Sequence, residues 1–348
     1  MIKCTFPALF CLCFLLYGCG GGSSGPNDSG SDSTTVVEML YNDNIPPGYF
    51  YMGGAECDTI DITPDSSEIV YYYLDSTHVV TLTHTLSVSK YEISNAHYIE
   101  ALQTAYNNGW VYLDSMESAV WLSDKQDYKL LDLNSNYCEI YFVNSNFRWK
   151  AGFQNHPVKE VSWFGAAAYC NWRNMIDSYE PMYDPDTWES GLGCQPYNGN
   201  GWRLLTEAEW EYCAAYDTAD IFRKYPWGFS APNFDYVNFN NLYGWSWPVW
   251  PLNNEYEHVN NRSFFGLYNM GGNILEWVND WWDELPQIPE TDPVGPLSPP
   301  GGQSVPQRVL RGGAWDQIQN DLRCAARYHS DPGHSSQYIG FRICRVTG

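Results

Sequence analysis

Three motifs near the C-terminus decide the fold: Arg311-Gly312-Gly313-Ala314-Trp315, Leu322-Arg323-Cys324-Ala325-Ala326-Arg327 and Gly340-Phe341-Arg342-Ile343-Cys344-Arg345. The stretch 314–323, which joins the first motif to the second, contains no cysteine. A thiol-dependent reaction centred on this stretch would therefore have no nucleophile, because the thiolate is the reactive form of cysteine.

Further motifs precede these three along the chain. In order they are Ser89-Lys90-Tyr91-Glu92-Ile93-Ser94-Asn95, His156-Pro157-Val158, Val161-Ser162-Trp163, Ala168-Tyr169-Cys170-Asn171-Trp172, Trp202-Arg203-Leu204-Leu205-Thr206-Glu207-Ala208-Glu209-Trp210-Glu211-Tyr212, Pro226-Trp227-Gly228, Gly266-Leu267-Tyr268-Asn269-Met270, Gly272-Asn273 and Glu276-Trp277. Each is weak alone. Together, over residues 45–348, they resemble the formylglycine-generating, or sulfatase-modifying, domain family. The resemblance implies a single α+β domain, a variant of the C-type-lectin-like fold with little regular secondary structure.

The residue pattern itself also indicates an irregular α+β domain with an aromatic core. Helices are predicted after Ser94 or Asn95, after Ser162 and after Thr206, since Ser, Thr and Asn are good N-caps. Thr206 with Glu209 fits a capping box. Alternating apolar residues predict strands over 48–54 and 79–88, and residues 107–150 should contain loops and short strands.

The N-terminus has the pattern of an export signal. Residues 1–18 combine Lys3 with an apolar run that is too short to span a bilayer. The sequence Leu16-Tyr17-Gly18-Cys19 resembles a bacterial lipobox, in which Cys19 becomes the lipid-modified N-terminus. An ordinary secretory signal with a chance cysteine is the alternative. Residues 19–44, rich in Gly, Ser and Asp, would form a flexible tether. We therefore expect a lipid anchor in the bacterial envelope, on the outer membrane or cell surface.

Charge and cysteine content restrict the partners and the redox state. The chain has 18 Lys plus Arg against 41 Asp plus Glu, a net charge of -23, which argues against nucleic acid as a partner. Eleven cysteines in an exported chain favour disulfides. The family resemblance implies two bridges, Cys170–Cys344 and Cys213–Cys324. A catalytic role for Cys324 is the alternative. The roles of Cys57, Cys138 and Cys194 stay open.

In the resembling family, a reactive cysteine pair follows the Arg-Gly-Gly motif. Counting forward from Arg311 or backward from Cys324 reaches Gln317 and Gln319. Glutamine forms no thiolate, and it is a poor ligand for Cu(I), which prefers sulfur. Copper is therefore not expected. Three more pocket positions depart from the family pattern, where Ala314, Leu275 and Tyr338 replace Ser, Trp and Asn.

Calcium is the metal that the resemblance implies. Its ligands would be the Asn269 side chain, the Gly272 and Ile274 carbonyls and the Glu276 carboxylate, which supply the oxygen ligands that Ca²⁺ prefers. As the alternative, the polar side chains of this turn bond neighbouring backbone groups.

The sequence leads to two functional hypotheses. The first is a non-catalytic envelope lipoprotein that binds a protein or glycan partner and contacts the membrane through its lipid anchor only. The second is a formylglycine-generating oxidase with a rearranged site. The predicted ligand groove consists of Trp315, Gln317, Gln319, Tyr328, His329 and Tyr338. A mixture of aromatic and polar side chains suits adaptable recognition.

Overall fold

The computed structural model describes residues 39, 41–54, 77–123, 125–184, 187, 195–218, 221–234, 237–240, 261–301 and 305–348. The chain divides into a unit of residues 1–33 and a unit of residues 34–348. The first unit lies outside the described residues, and with it the predicted signal peptide and Cys19. Most of the predicted tether, Cys57 and Cys194 lie outside them too.

Three α-helices occur among the described residues: α1 (Asn95–Asn107), α2 (Trp163–Asp177) and α3 (Glu207–Ala215). Their N-caps are Ser94, Ser162 and Thr206, and each cap side chain accepts a hydrogen bond from a backbone N–H three residues on. The Thr206 N–H donates in return to the Glu209 carboxylate at 2.8 Å. The predicted caps and the capping box are thereby confirmed.

Short strands form the rest of the regular structure. In the described residues they are β1 (Tyr41–Ile45), β2 (Gly48–Met52), β3 (His78–Leu82), β4 (Leu86–Ser89), β5 (Val111–Leu113), β6 (Ala119–Leu122), β7 (Lys125–Asp132), β8 (Ile140–Val143), β9 (Asn146–Trp149), β10 (Tyr216–Thr218), β11 (Ile221–Phe222), β12 (Leu275–Trp281), β13 (Glu290–Thr291), β14 (Arg308–Arg311), β15 (Arg327–Ser330), β16 (Ile339–Phe341) and β17 (Cys344–Val346). A 3₁₀ helix covers Gln319–Leu322.

One four-stranded sheet, in the order β15-β14-β12-β16, positions the C-terminal motifs. Strand β14 runs antiparallel to β12 and places Arg311 opposite Glu276. Strand β16 runs parallel to β12 on its other side and places Gly340 opposite Glu276. Motifs separated by dozens of residues in sequence therefore meet around one glutamate.

The strand predicted over 79–88 is broken in the structure. Its first half is β3, which pairs with β2, and its second half is β4, which pairs with β1 and β17. The side chains of Val80, Leu82, Leu86 and Val88 are buried, as the alternation predicts. Alternation holds in β3, where Val79 and Thr81 are partly exposed, but Ser87 and Ser89 of β4 are buried too. The bend between the halves sends each into a different sheet.

Aromatic side chains dominate the core. Tyr98 of α1 stacks on Tyr169 of α2 with ring centroids 5.6 Å apart, and Phe341 of β16 packs edge-on against Tyr169 at 5.3 Å. A second cluster surrounds α3, where Trp210 is fully buried. Buried aromatic rings remove large apolar areas from water, so a domain with so few helices still has a substantial core.

Candidate functional site

The loop that follows β14 contains the positions where the family chemistry would be expected. Gly312 and Gly313 turn the chain out of the sheet with φ of 98° and 75°. A Cβ on Gly313 would lie 2.8 Å from the Asp321 carbonyl oxygen, so glycine is required there. Beyond the turn, the Trp315 N–H donates to the Asn273 carbonyl at 2.9 Å. The loop is therefore fixed to the turn that precedes β12.

Gln317 has a structural role in this loop. Its side-chain Oε1 accepts from the Ala314 N–H at 2.8 Å, and its own carbonyl accepts from the Asn240 N–H at 2.8 Å. Gln317 is buried, whereas Gln319 is exposed at the start of the 3₁₀ helix. Neither residue can supply the thiolate that the family reaction needs.

The predicted disulfides do not form in this structure. Cys170, Cys344, Cys213 and Cys324, together with Cys138, are free buried thiols. The Cys344 Sγ accepts from the Arg203 Nη1 at 3.1 Å and donates to the Glu209 Oε2 at 3.8 Å, so hydrogen bonds hold it instead of a bridge. Burial raises the pKa of Cys138 to about 12, and burial also raises that of Cys324. These thiols are protonated at neutral pH and unreactive.

A compact patch beside the loop joins an aromatic pair to a carboxylate. The Trp315 and Tyr338 rings lie 5.2 Å apart at 35°. The Tyr338 side chain hydrogen-bonds to those of Asp316 and Gln337. Within the described residues, the Trp315 Nε1 and the Gln337 Oε1 are buried atoms with no hydrogen-bond partner. We call Trp315, Asp316, Gln337 and Tyr338 the Trp315 patch.

The Asp316 carboxylate has a higher pKa than an exposed aspartate. Burial raises the pKa of Asp316 to about 6, against the lowering effect of its hydrogen bonds, and the Asp321 charge adds to the rise. Burial and the Asp316 charge raise the pKa of Tyr338 to about 12. The patch therefore offers a neutral phenol beside a carboxylate that titrates slightly below neutrality.

The structure separates the remaining predicted groove residues. Tyr328 lies in the core at 1% exposure, with its hydroxyl donating to the Asp321 carbonyl at 3.1 Å. His329, the next residue of β15, contacts the Trp282 ring at 4.4 Å. Successive residues of a strand face opposite sides, so these two cannot share one groove. Trp315 and Tyr338 are the predicted groove residues that meet. Asp316 and Gln337, the sequence neighbours of this pair, lie beside it.

The predicted calcium ligands form a different arrangement. The Glu276 carboxylate accepts from the Arg342 Nε at 2.7 Å and Nη2 at 2.6 Å, and from the Trp210 Nε1 at 2.8 Å. The Asn269 Oδ1 accepts from the Asn261 Nδ2 at 3.1 Å. No group of three or more His, Cys, Asp or Glu side chains suited to a metal occurs in the described part of the chain.

Calcium at this turn stays a prediction. The Arg342 guanidinium pairs with Glu276, and the buried Glu92 adds a second carboxylate 4.0 Å from it. The other predicted ligands, at Gly272 and Ile274, are backbone carbonyls, which Ca²⁺ accepts. The side chains of Asn269 and Asn273 donate instead to the buried Glu92 carboxylate, at 3.2 and 2.9 Å. These residues thus form an internal polar network of the protein.

Buried ion pairs give the charged residues of the other family motifs a structural role. Helix α3 carries three buried glutamates at every second position, and each pairs with an arginine. The pairs are Glu207 with Arg327, Glu209 with Arg203, and Glu211 with Arg311. A fourth pair joins Glu276 on β12 to Arg342, which follows β16. The four pairs together connect α3 and the sheet. The sequence does not predict these pairs, because the partners lie as far as 120 residues apart.

Comparison with known proteins identifies the family. A family model described as the sulfatase-modifying factor enzyme 1-like domain matches residues 31–347, so the chain belongs to this family. It is 32% identical over 199 residues to a Chlamydia pneumoniae protein named serine/threonine-protein kinase pkn1, covering 56% of this chain and 25% of that protein. It is 31% identical over 204 residues to the Mus musculus formylglycine-generating enzyme, covering 54% of this chain and 44% of the enzyme.

The chain thus spans less than half the length of these two relatives. A solved structure, that of CarF, superposes with a TM-score of 0.55 at 18% identity, covering 89% of this chain and 99% of that one. The predicted family and α+β fold are confirmed. Among the described residues, no helix is both long enough and apolar enough to cross a membrane.

Proposed function

We propose that this chain is a non-catalytic member of the family, a lipid-anchored envelope protein that uses its domain to bind a protein or glycan partner. The observation that carries the proposal is the pair Gln317 and Gln319 at the positions of the reactive cysteines. Gln317 supports the loop by a hydrogen bond to the Ala314 N–H, and Gln319 faces solvent. The oxidase would need a thiolate at this place.

The described cysteines do not replace the missing pair. All five are buried thiols, and burial raises the pKa of each of them. Thiols buried in the core are out of reach of a substrate. We therefore infer that the described cysteines do not form a copper site.

The purified chain, incubated with a Cys-x-Pro-x-Arg peptide, Cu(I) and oxygen, tests the loss of oxidase activity. Mass spectrometry should recover the peptide with its cysteine intact. A formylglycine product from a folded sample would overturn the proposal. An active formylglycine-generating enzyme in a parallel reaction shows that the conditions support turnover.

The Trp315 patch is the surface that we assign to the partner. A tilted aromatic pair offers an apolar face, while the Tyr338 hydroxyl and the Asp316 carboxylate beside it supply polar groups. Sugars and peptide backbones both present flat faces edged by donors and acceptors. Nucleic acid does not suit the patch, because Asp316 and the chain's net charge of -23 repel phosphates.

An oligosaccharide array and a displayed peptide library, probed with the wild-type chain, should yield binders that Tyr338→Ala weakens at least tenfold. Tyr141→Ala is the matched control, since Tyr141 is 41% exposed on β8 and lies outside the patch. Binders that respond equally to both variants, or the recovery of none, would contradict the assignment.

The envelope location rests on residues 1–44, and Cys19 is its test. Metabolic labelling with a fatty-acid analogue in a bacterial host should label the wild-type chain. Cys19→Ser should abolish the label and release the protein from the membrane fraction. Release without loss of label would contradict lipidation at Cys19.

A further inference from the structure

A concave site lies at the start of α3 and shares no residue with the Trp315 patch. It is a cavity of about 460 Å³, within the range of small-molecule sites. Glu207 and Ala208 of α3, the last residues of β12 and residues of the segment 283–296 supply most of its walls. We call it the Asp280 cavity.

Carboxyl groups dominate the charge of this cavity. The acidic residues that line it are Glu207, Asp280, Asp283, Glu284, Glu290 and Asp292. Arg327 is the basic residue among the described lining residues, and its Nη2 donates to the Glu207 carboxylate at 2.7 Å, so the charges of this pair cancel. Glu290 and Asp292 lie beside His78 and His84, at 3.1 and 3.3 Å. Asp283 and Glu284 are exposed, and neither carboxylate has a cationic partner in the described part of the chain. The cavity therefore carries an excess of negative charge.

Asp280 supplies a buried oxygen that faces the cavity. The residue is 5% exposed, and its Oδ2 accepts from the Glu207 N–H at 2.8 Å. Its Oδ1 has no hydrogen-bond partner among the described residues, although an ionised carboxylate accepts about four hydrogen bonds. Gly295, with φ of 69°, lies against this oxygen, since a Cβ there would be 2.7 Å from the Oδ1. A side chain at position 295 would cover the Oδ1, so glycine leaves it open to a ligand.

The surroundings of Asp280 favour its neutral form until a cation binds. Burial, with the Glu207 charge, raises the pKa of Asp280 to about 8, and the Glu209 charge adds to the rise. The Glu207 N–H and the Arg308 guanidinium act in the opposite direction. On the elements around it, the titratable and charged groups are Glu207 and Glu209 of α3, Arg308 of β14, Arg327 of β15, Tyr197, and Asp283, Glu284, Glu290 and Asp292 of the segment 283–296. An ammonium group at the Oδ1 would favour the charged form, so binding below pH 8 should release a proton.

Apolar residues form another part of the wall. Leu285, Pro286, Pro293, Val294 and Pro296 line the cavity, and the ring of each proline fixes its φ. Such a rigid apolar wall suits an alkyl chain better than a hydrated metal ion. Among the described residues, no group of three or more His, Cys, Asp or Glu side chains is suited to a metal, whereas an ammonium group has three donors and needs few acceptors. An organic cation with an apolar stem therefore fits the cavity.

We propose that the Asp280 cavity binds an aliphatic diamine. One ammonium group donates to the Asp280 Oδ1, the alkyl chain lies along the prolines, and the second ammonium group lies near Asp283 and Glu284. The net charge of -23 raises the concentration of small cations around the protein. This binding does not involve the Trp315 patch, so the inference stands independently of the proposed function.

Isothermal titration with cadaverine at low ionic strength tests the proposal. Pentylamine serves as the monoamine of the same chain length, and glutarate as a dianion of the same length. Cadaverine should bind the wild-type chain about fivefold more tightly than pentylamine, because exposed carboxylates contribute modestly, and glutarate should not bind. Because Asp280 must lose its proton, the affinity for cadaverine should rise about tenfold from pH 6 to pH 7 and level off above pH 8.

Two variants of the cavity separate the contributions. Asp280→Asn keeps an acceptor for the Glu207 N–H, so the variant should fold. At pH 8.5 it should weaken cadaverine binding about tenfold or more, and it should remove the rise in affinity between pH 6 and pH 7. Glu284→Gln changes an exposed residue, and it should weaken binding about threefold while keeping the pH dependence.

Matched controls are Asp316→Asn in the Trp315 patch and Glu100→Gln on α1, whose carboxylate is 57% exposed. Both should bind cadaverine like the wild-type chain. The proposal fails if cadaverine does not bind at pH 8.5. It also fails if glutarate binds as tightly as cadaverine, or if Asp280→Asn behaves like Asp316→Asn.

Discussion

Removing one charge from a buried ion pair should destabilise this domain far more than removing an exposed one. In the Arg203–Glu209 pair, both side chains are 0% exposed. The Arg203 Nη1 and Nη2 donate to the two Glu209 oxygens, each at 2.7 Å. Glu209→Gln keeps the side-chain shape and an acceptor for the Thr206 N–H, but it leaves the Arg203 charge buried without its anion.

The expected cost follows from what remains around Arg203. Breaking a buried pair by removing one partner costs about 3–5 kcal/mol. The Pro196 carbonyl at 2.8 Å and the Leu204 carbonyl at 3.1 Å still accept from the guanidinium, so we expect about 3 kcal/mol. This is a large part of the total stability of a typical domain, about 5–15 kcal/mol.

Glu100→Gln is the matched control, a change of the same chemistry in α1. The Glu100 side chain is 57% exposed and lies 3.4 Å from Arg173, which also pairs with Asp177. An exposed pair contributes about 0–1 kcal/mol. Urea unfolding followed by circular dichroism at pH 7 gives both free-energy changes. If the two variants differ by less than about 1 kcal/mol, the Arg203–Glu209 pair is not excluded from water and the reasoning is refuted.

Three further predictions concern protons, thiols and metal. Burial, with the Glu207 charge, raises the pKa of Asp280 to about 8, so the folded protein holds this proton between about pH 4 and 8 while the unfolded chain releases it. The free energy of unfolding should therefore fall as pH rises through that window, by up to about 1.4 kcal/mol per pH unit. Asp280→Asn should make this pH dependence less steep, and an unchanged pH dependence contradicts the assignment. Because the described cysteines are free thiols, dithiothreitol should change the melting temperature by no more than about 1 °C. A drop of several degrees would reveal a disulfide, since losing one costs about 2–4 kcal/mol of stability. If calcium binds at the turn of Asn269 and Glu276, as the family resemblance implies, EGTA should lower the melting temperature, and an unchanged melting temperature would contradict the site.

Local features of the fold could be predicted from the sequence. A cap involves residues three positions apart, so Ser94, Ser162 and the Thr206–Glu209 box are all visible in a short window. The buried face of residues 80–88 was also predicted, since alternation is a local signal. The break between β3 and β4 was not. It depends on which strands lie alongside each half, and those strands come from distant parts of the chain.

Features that depend on tertiary partners were predicted less well. The cysteine bridges and the calcium ligands came from family resemblance, which gives the positions but not the contacts that form between them. Here Arg203 contacts the Cys344 sulfur and Arg342 contacts the Glu276 carboxylate. The predicted groove failed in part for a simpler reason. Tyr328 and His329 are adjacent on one strand, and the alternation of a strand places them on opposite faces.

The ion pairs of α3 hold the fold together independently of the loop that follows Gly313. Glu207, Glu209 and Glu211 bind arginines from the Trp202–Tyr212, Arg-Gly-Gly and Arg-Cys-Ala-Ala-Arg motifs. None of these contacts requires a sulfur atom at position 317 or 319. The motifs that define the family thus stabilise the scaffold, and each buried charge must be kept, since losing one partner leaves the other unpaired. The loop after Gly313 lies outside this network. A substitution in this loop, such as the hydrogen-bonding Gln317, therefore leaves the ion pairs of the scaffold intact, which is the physical basis of the proposed binding role.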